Sequence, residues 1–433
     1  MTDLTPTGLA AVLAHVEPPA YVYDLEQVRR AYRQLRQALP EPSRILYSVK
    51  ANPHPRLIRT LTEIGAGAEV SSVGELANAR AAGVPAGDLL YTGPGKQDVE
   101  IAEALRSGVR WFSADSPAAL GQIDRLSRRA EAITHCLLRL NPDSAMAGKG
   151  LAMTGQASQF GADVAWIQAD PAAFRLPPAA GAGATLAGFH VYQGSNLDSE
   201  DALIGQFDAA IAGCRQSTEA LGIEPRRISL GGGFGAPFAR AGELPRFPRL
   251  ADRLAGLLDQ QFPGWRQGRP AVLFESGRYL ASRSGQLITR VADVKRSYDT
   301  PVVVLESGIN HLGGMSGLRR LPPLTPQLAR LPSDHRPPLE AVLVTGPLCT
   351  PLDTWARGVD LPTLLPGDLV LVPNVGAYGL TASLVAFLSH PIPAEVVLDR
   401  DEVIDVSRLE LVRCAVGRES IAAPADTRLE ASV

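Results

Sequence analysis

Cysteine is scarce and scattered in this 433-residue sequence. Cys136, Cys214, Cys349 and Cys414 stand far apart with no Cys-x-x-Cys pair, which argues against a zinc knuckle and against a disulfide framework. Thiols spaced this way suit a reducing compartment, so a cytoplasmic location is expected and no metal site is. Long apolar runs are missing as well. No stretch is long enough to cross a bilayer, and residues 1–16 lack a basic segment followed by an apolar run, so neither a membrane span nor a secretion signal is expected. Charge of one sign is not in surplus either. With 42 basic against 45 acidic residues there is no basic footprint for nucleic acid or anionic lipid. Internal repeats and low-complexity tracts are absent too.

What is present is the material of a large globular core: 45% hydrophobic and 20% charged residues, in a chain too long for one ordinary domain. Short apolar runs at 45–49, 68–70, 89–91, 110–113, 136–140, 186–191, 227–230 and 271–275 read as strands, separated by amphipathic stretches. After Asp24, the residues Leu25, Val28, Tyr32, Leu35 and Leu39 fall on one helical face, and Asp24 with Gln27 makes a capping box. Eight strands alternating with helices predict an α/β fold, a (β/α)8 barrel; a doubly wound open sheet has the same alternation. The barrel is favoured because polar and glycine residues cluster just after the strand C-termini. After about residue 279 the texture changes. Runs at 286–294, 302–305, 341–345, 368–373 and 410–416 predict a second, mostly β domain. The expected division is a barrel over 26–280 and a β-rich domain built from 1–25 and 281–433. The Pro- and Arg-rich stretch 322–338 is expected to be a surface loop or lid, and 424–433 a frayed tail.

Three motifs carry chemistry. Tyr47-Ser-Val-Lys50-Ala-Asn-Pro-His54 puts a lysine at a strand exit, where partial desolvation is expected to lower its pKa and free an amine for a Schiff base. By itself it reads more simply as a surface lysine at a strand exit. Ser229-Leu-Gly-Gly-Gly-Phe-Gly235 is a glycine-rich turn whose amides can approach a phosphate, or merely a tight loop. Phe274-Glu-Ser-Gly-Arg-Tyr279 offers Glu275 to hold a protonated ring nitrogen and Arg278 to clamp a phosphate, with an internal ion pair as the plainer reading. Glu69, His190, Tyr192 and Ser195 are further candidates, as are Gly346-Pro-Leu-Cys349-Thr-Pro-Leu-Asp353 and Gly376-Ala-Tyr378-Gly379.

Taken in order, these motifs resemble the fold-type III pyridoxal phosphate decarboxylases, which include ornithine and diaminopimelate decarboxylases. The resemblance runs from Tyr21-Val-Tyr-Asp24 to Leu411. It implies that Lys50 carries the cofactor aldehyde, Glu275 pairs with the pyridine nitrogen and Glu69 sits beside the lysine. His190 and Tyr192 would contact the ring. Gly232, Gly233, Gly235, Gly277, Ser195, Arg278 and Tyr378 would surround the phosphate. Cys349 would reach across a dimer interface and return a proton after carbon dioxide leaves, so a homodimer with shared sites is implied. Thr350, Asp353 and Glu306 would face the substrate.

Some positions depart from the family pattern. Members acting on diamines have an acidic residue after the loop cysteine; here it is Thr350, which leaves a distal ammonium unpaired. Tyr192 replaces the histidine that stacks on the ring, and a tyrosine can stack too. Glu306 stands where aspartate is usual, and Gln159 replaces a lysine before Phe160-Gly161. With Gly93-Pro-Gly-Lys96 and Phe387-Leu-Ser-His-Pro391, these strings are similar to decarboxylases of glutamyl groups tethered to an acyl carrier protein in natural-product biosynthesis. The expected reaction is α-decarboxylation of such a tethered acidic aminoacyl group. The alternatives are decarboxylation of a free amino acid such as diaminopimelate, a racemase, and a catalytically silent regulatory homologue.

Overall fold

A computed structural model describes residues 4–142, 157–178, 181–313, 325–331 and 336–414. Its strands in chain order are β1 Ala20–Asp24, β2 Arg44–Ser48, β3 Gly67–Val70, β4 Leu89–Tyr91, β5 Trp111–Ala114, β6 Ile133–Asn141, β7 Ala162–Asp163, β8 Gly183–Val191 and β9 Arg227–Ser229, followed by β10 Ala271–Ser276, β11 Gly285–Ser297, β12 Thr300–Leu305, β13 Ala329–Leu331, β14 Pro338–Thr345, β15 Thr354–Pro362, β16 Leu369–Val372, β17 Ala394–Asp399 and β18 Glu402–Arg408.

Eight of these close into a parallel barrel in the order β2-β3-β4-β5-β6-β8-β9-β10, with β10 pairing back onto β2. Every one coincides within a few residues with an apolar run expected from the sequence. The short β7 adds to the edge of β6 and stands outside the ring. Helices between the strands bury one face each. In the helix Leu25–Gln37 that face is Leu25, Val28, Ala31 and Leu35, and the Asp24 carboxylate caps its start by accepting from the Glu26 amide at 2.8 Å.

The second sheet runs β15-β14-β12-β11-β1-β17-β18, with β16 paired to β11 and β13 to β16. β1 lies between β11, antiparallel, and β17, parallel, so the chain threads its first strand into the sheet formed by its last third. Two expectations need correction. Residues 410–414 are not a strand, and the last strand among the described residues is β18 at 402–408; 415 and 416 lie outside the described residues. Within 322–338, Ala329–Leu331 pairs with β16 and Pro338 opens β14, so the described part is partly sheet rather than loop; 322–324 and 332–335 lie outside the described residues. The expected tail at 424–433 also lies outside them. No helix among the described residues is long and apolar enough to cross a membrane.

Candidate active site

Five barrel strands end in the same two-residue rhythm. Leu46, Leu90, Trp111, Leu137 and Leu273 pack together as an apolar floor. Two residues later along a strand a side chain returns to the same face. Those positions hold Ser48, Thr92, Ser113, Arg139 and Glu275, all buried. A polar layer therefore rests on an apolar one at the C-terminal mouth of the barrel, where such folds carry their chemistry. A cavity of about 730 Å3 opens there, and Lys50, Glu69, His190, Tyr192, Ser195, Glu275, Arg278 and Tyr378 all line it.

Lys50 sits in the short turn Val49–Ala51 after β2. The Tyr378 amide donates to Ala51 O at 2.8 Å, and the Asn52 side chain donates to Gly376 O at 2.8 Å. Gly277 has no room for a side chain, since a Cβ would fall 2.6 Å from that of Ala51. These contacts aim the amine into the cavity, with Nζ 3.3 and 3.4 Å from the Glu69 oxygens and 5.7 Å from the centre of the Tyr192 ring. Burial by itself would push the lysine pKa down, as expected from the sequence. The Glu69 carboxylate, with Tyr378, Tyr192 and Glu275, outweighs that effect and holds it above its ordinary value. Lys50 is thus an ammonium here, and the expected lowering is reversed. Burial opposes the charge on Glu69, yet Lys50 and the hydroxyls of Thr92 and Ser48 keep it ionised and its pKa low. Burial pushes Tyr192 up to about 12.

On the far side, Glu275 Oε1 accepts from Ser229 Oγ at 2.5 Å and lies 3.2 Å from His190 Nε2. His190 Nδ1 is 2.8 Å from Ser113 Oγ. This buried chain can hold a proton-bearing ring nitrogen against a fixed carboxylate. The glycine-rich turn is stitched on both sides. Glu275 N donates to Gly231 O at 2.7 Å, Gln206 Nε2 to Gly232 O at 2.8 Å, Leu197 N to Gly233 O at 2.8 Å and Gly235 N to Leu197 O at 2.7 Å. A Cβ on Gly232 would lie 2.0 Å from Glu275 O, and Gly233 adopts φ +101°, so glycine is required at both. The pairing with Leu197 brings Ser195 to this turn. Arg278 stacks on Tyr378 with its Cζ 4.7 Å from the ring centre, and its buried Nε has no partner among the described residues.

The remaining candidates lie elsewhere. Cys349 is exposed and does not line the cavity of its own chain. Thr350 Oγ1 accepts from Leu352 N at 3.3 Å. Asp353 is buried, with one oxygen accepting from Ile309 N and the other from Leu348 N, each at 2.8 Å. It fastens the cysteine loop rather than facing the cavity. Glu306 lies 3.9 Å from Arg290. Sequence reasoning missed Ser71, Thr92, Ser113 and Arg139. Ser71 and Thr92 donate to Glu69, and Arg139 stacks on Phe160 at 4.3 Å. The apolar-x-polar ending of the strands was the signal for the last three.

Fold and site define a pyridoxal phosphate decarboxylase of fold type III, and the chain belongs to the pyridoxal-dependent decarboxylases: residues 25–282 match that family's pyridoxal binding domain. It is an amino-acid carboxy-lyase. The chain is 33% identical over 402 residues to the L-glutamyl-[BtrI acyl-carrier protein] decarboxylase of Niallia circulans, covering 91% of this chain and 92% of that one. It is 32% identical over 400 residues to the diaminopimelate decarboxylase of Methanothermobacter thermautotrophicus, covering 90% and 88%. The crystal structure of diaminopimelate decarboxylase from Helicobacter pylori complexed with L-lysine superposes with a TM-score of 0.78 at 25% identity, over 92% of this chain and 95% of that one.

The residues present fit pyridoxal phosphate. Arg278, with its orphaned Nε, and the glycine turn beside Ser195 form an anion cradle; Glu275 with His190 suits the ring nitrogen, and Lys50 the aldehyde carbon. Bound there, the cofactor supplies the electron sink that accepts the pair left as carbon dioxide departs.

Proposed function

We propose that this enzyme removes the α-carboxylate from an acidic aminoacyl group tethered to an acyl carrier protein, within natural-product biosynthesis. One observation carries the reading: each carboxylate lining the cavity, among the described residues, already has a partner within the chain. Glu69 is engaged by Lys50, Thr92 and Ser71, Glu275 by Ser229 with the His190 ring beside it, and Glu100 by the Gln97 amide. The residue after Cys349 is the neutral Thr350, and Asp353 is spent on backbone amides. A substrate ending in a cation would leave that charge unpaired, whereas an acyl end asks only for neutral partners. The relative from Niallia circulans, by its name, acts on such a tethered glutamyl group.

In this reading Lys50 bears the cofactor, Glu69 places its nitrogen, and Tyr192 covers the ring. Cys349 comes from a second copy of the chain as the proton donor, which accounts for its exposure, and Asp353 positions its loop. A second reading, decarboxylation of free diaminopimelate, is favoured by the relatives of that name. Mass spectrometry separates the two. The cofactor-loaded enzyme is incubated with free glutamate, aspartate, diaminopimelate, ornithine and lysine, and in parallel with acidic amino acids loaded on an acyl carrier protein. Loss of carbon dioxide from the carrier-bound set alone is the expected result; turnover of free diaminopimelate would replace the reading with the second.

A further inference from the structure

A second cavity, of about 550 Å3, lies where the β14–β15 ribbon meets the segment that follows the glycine-rich turn. That is within the range of small-ligand pockets, roughly 300–1,000 Å3. Leu328, Val344, Trp355, Val359 and Leu361 give it an apolar lining, to which Arg240 adds a cation. The walls are fixed by main-chain contacts. Gln327 N donates to Ala239 O and Ala241 N to Gln327 Oε1, both at 2.8 Å, while Arg240 Nε donates to Thr325 O at 3.2 Å. The lining carboxylate, Asp360, accepts from Ala341 N at 3.1 Å.

Trp355 is 3% exposed, and its indole N–H has no hydrogen-bond partner among the described residues. A buried donor left unmet is destabilising, and tryptophan normally finds an acceptor. The decarboxylation site uses none of these residues. The strand β15 that carries Trp355 begins directly after Asp353, the residue that fastens the Cys349 loop. Arg240 follows closely on the glycine-rich turn, and its carbonyl accepts from Asn374 Nδ2 at 2.6 Å.

We propose that this cavity binds the amide-bearing arm through which an acyl carrier presents its cargo, a pantetheine chain; the proposal rests on the tethered-substrate reading above. The chemistry matches at each point. A pantetheine chain has an apolar, branched body for the aliphatic lining, amide carbonyls to accept from the Trp355 indole, and a phosphate end for the Arg240 guanidinium. A free amino acid offers none of this length or polarity pattern.

The test uses the holoenzyme, free 4′-phosphopantetheine as probe, and a glutamyl-loaded carrier protein as substrate. The probe is expected to change tryptophan fluorescence saturably in the wild type and not in Trp355→Phe. That variant should raise KM for the loaded carrier about two- to tenfold at unchanged kcat, the loss of one hydrogen bond. Arg240→Ala, a change at an exposed side chain, should weaken phosphopantetheine more than pantetheine. Absence of saturable binding, or an unchanged KM in Trp355→Phe, would overturn the site. If the wild type ignores loaded carriers yet the probe still reports through Trp355, the proposed function falls and the cavity stands. If it decarboxylates them with no response from Trp355, the function stands and the cavity falls.

Discussion

At the scale of single residues, environment rather than identity sets the chemistry. Lys50 and Lys96 both line the cavity, yet their pKa values move in opposite directions. Burial dominates at Lys96 and lowers it, whereas Glu69 and its neighbours reverse the same effect at Lys50. His311 shows how burial also fixes a pH limit. Its ring joins Ser307 Oγ at 3.1 Å and Pro391 O at 3.0 Å, and burial pulls its pKa down to about 4. An exposed histidine titrates near ~6.5, so the unfolded chain takes up the proton first. The stability from this residue is complete above that pH and drains as pH falls toward 4, by up to about 3 kcal/mol. Urea unfolding from pH 7.5 to 4.5 should show this decline, and His311→Gln should flatten it. An equal slope in the variant would assign the decline to other groups.

At the scale of elements, the site depends on close approach between a strand and a turn. β10 carries Glu275, and the glycine-rich turn after β9 lies against the carbonyl of that same residue. Gly232→Ala should therefore destabilise the protein by about 1–3 kcal/mol, because its methyl forces the turn off β10. It should also release pyridoxal phosphate more readily in dialysis, read by the loss of visible absorbance. Gly256→Ala, in the exposed middle of the helix Leu250–Gln261 with open space around it, should instead stabilise by about 0.5–1 kcal/mol. Equal behaviour of the two variants would remove close approach as the cause. The strands were legible because each barrel strand is a buried apolar run. The strands β1, β7, β13, β15, β17 and β18 were not. In β18 exposed and half-buried positions alternate with charges, and nothing in the sequence says which neighbour covers them. The run at 410–416 looked more strand-like than the segment that does pair, since pairing is decided by what lies alongside.

At the scale of the whole molecule, two sheets meet around one turn. The contacts Tyr378 N to Ala51 O and Asn52 Nδ2 to Gly376 O join the second sheet's loops to the lysine turn, so neither half presents Lys50 alone. Cys349 stands exposed, outside the cavity of its own chain. If a second copy supplies it, mixing Lys50→Ala with Cys349→Ala should restore activity that neither variant has. Random exchange of subunits leaves one intact site in each mixed dimer, and thus roughly a quarter of wild-type activity. Both variants must first be shown dimeric by light scattering; no recovery on mixing would put lysine and cysteine in the same chain.

The sequence by itself determined the barrel and the cofactor, and it named the candidate site residues that line the cavity. Apolar periodicity dictates strands and helices locally, and Lys50, the glycine turn and Glu275 each carry chemistry in a short motif. Only the tertiary structure decided the state of those groups. The charge on Lys50 depends on Glu69, nineteen residues away, and the setting of Glu275 on Ser229 and His190, because Coulomb and desolvation energies follow distance and burial rather than order along the chain. Asp353 shows the same division. Its position beside Cys349 was plain in the sequence, but its part in fastening that loop required the two amides of Ile309 and Leu348 to be folded around it.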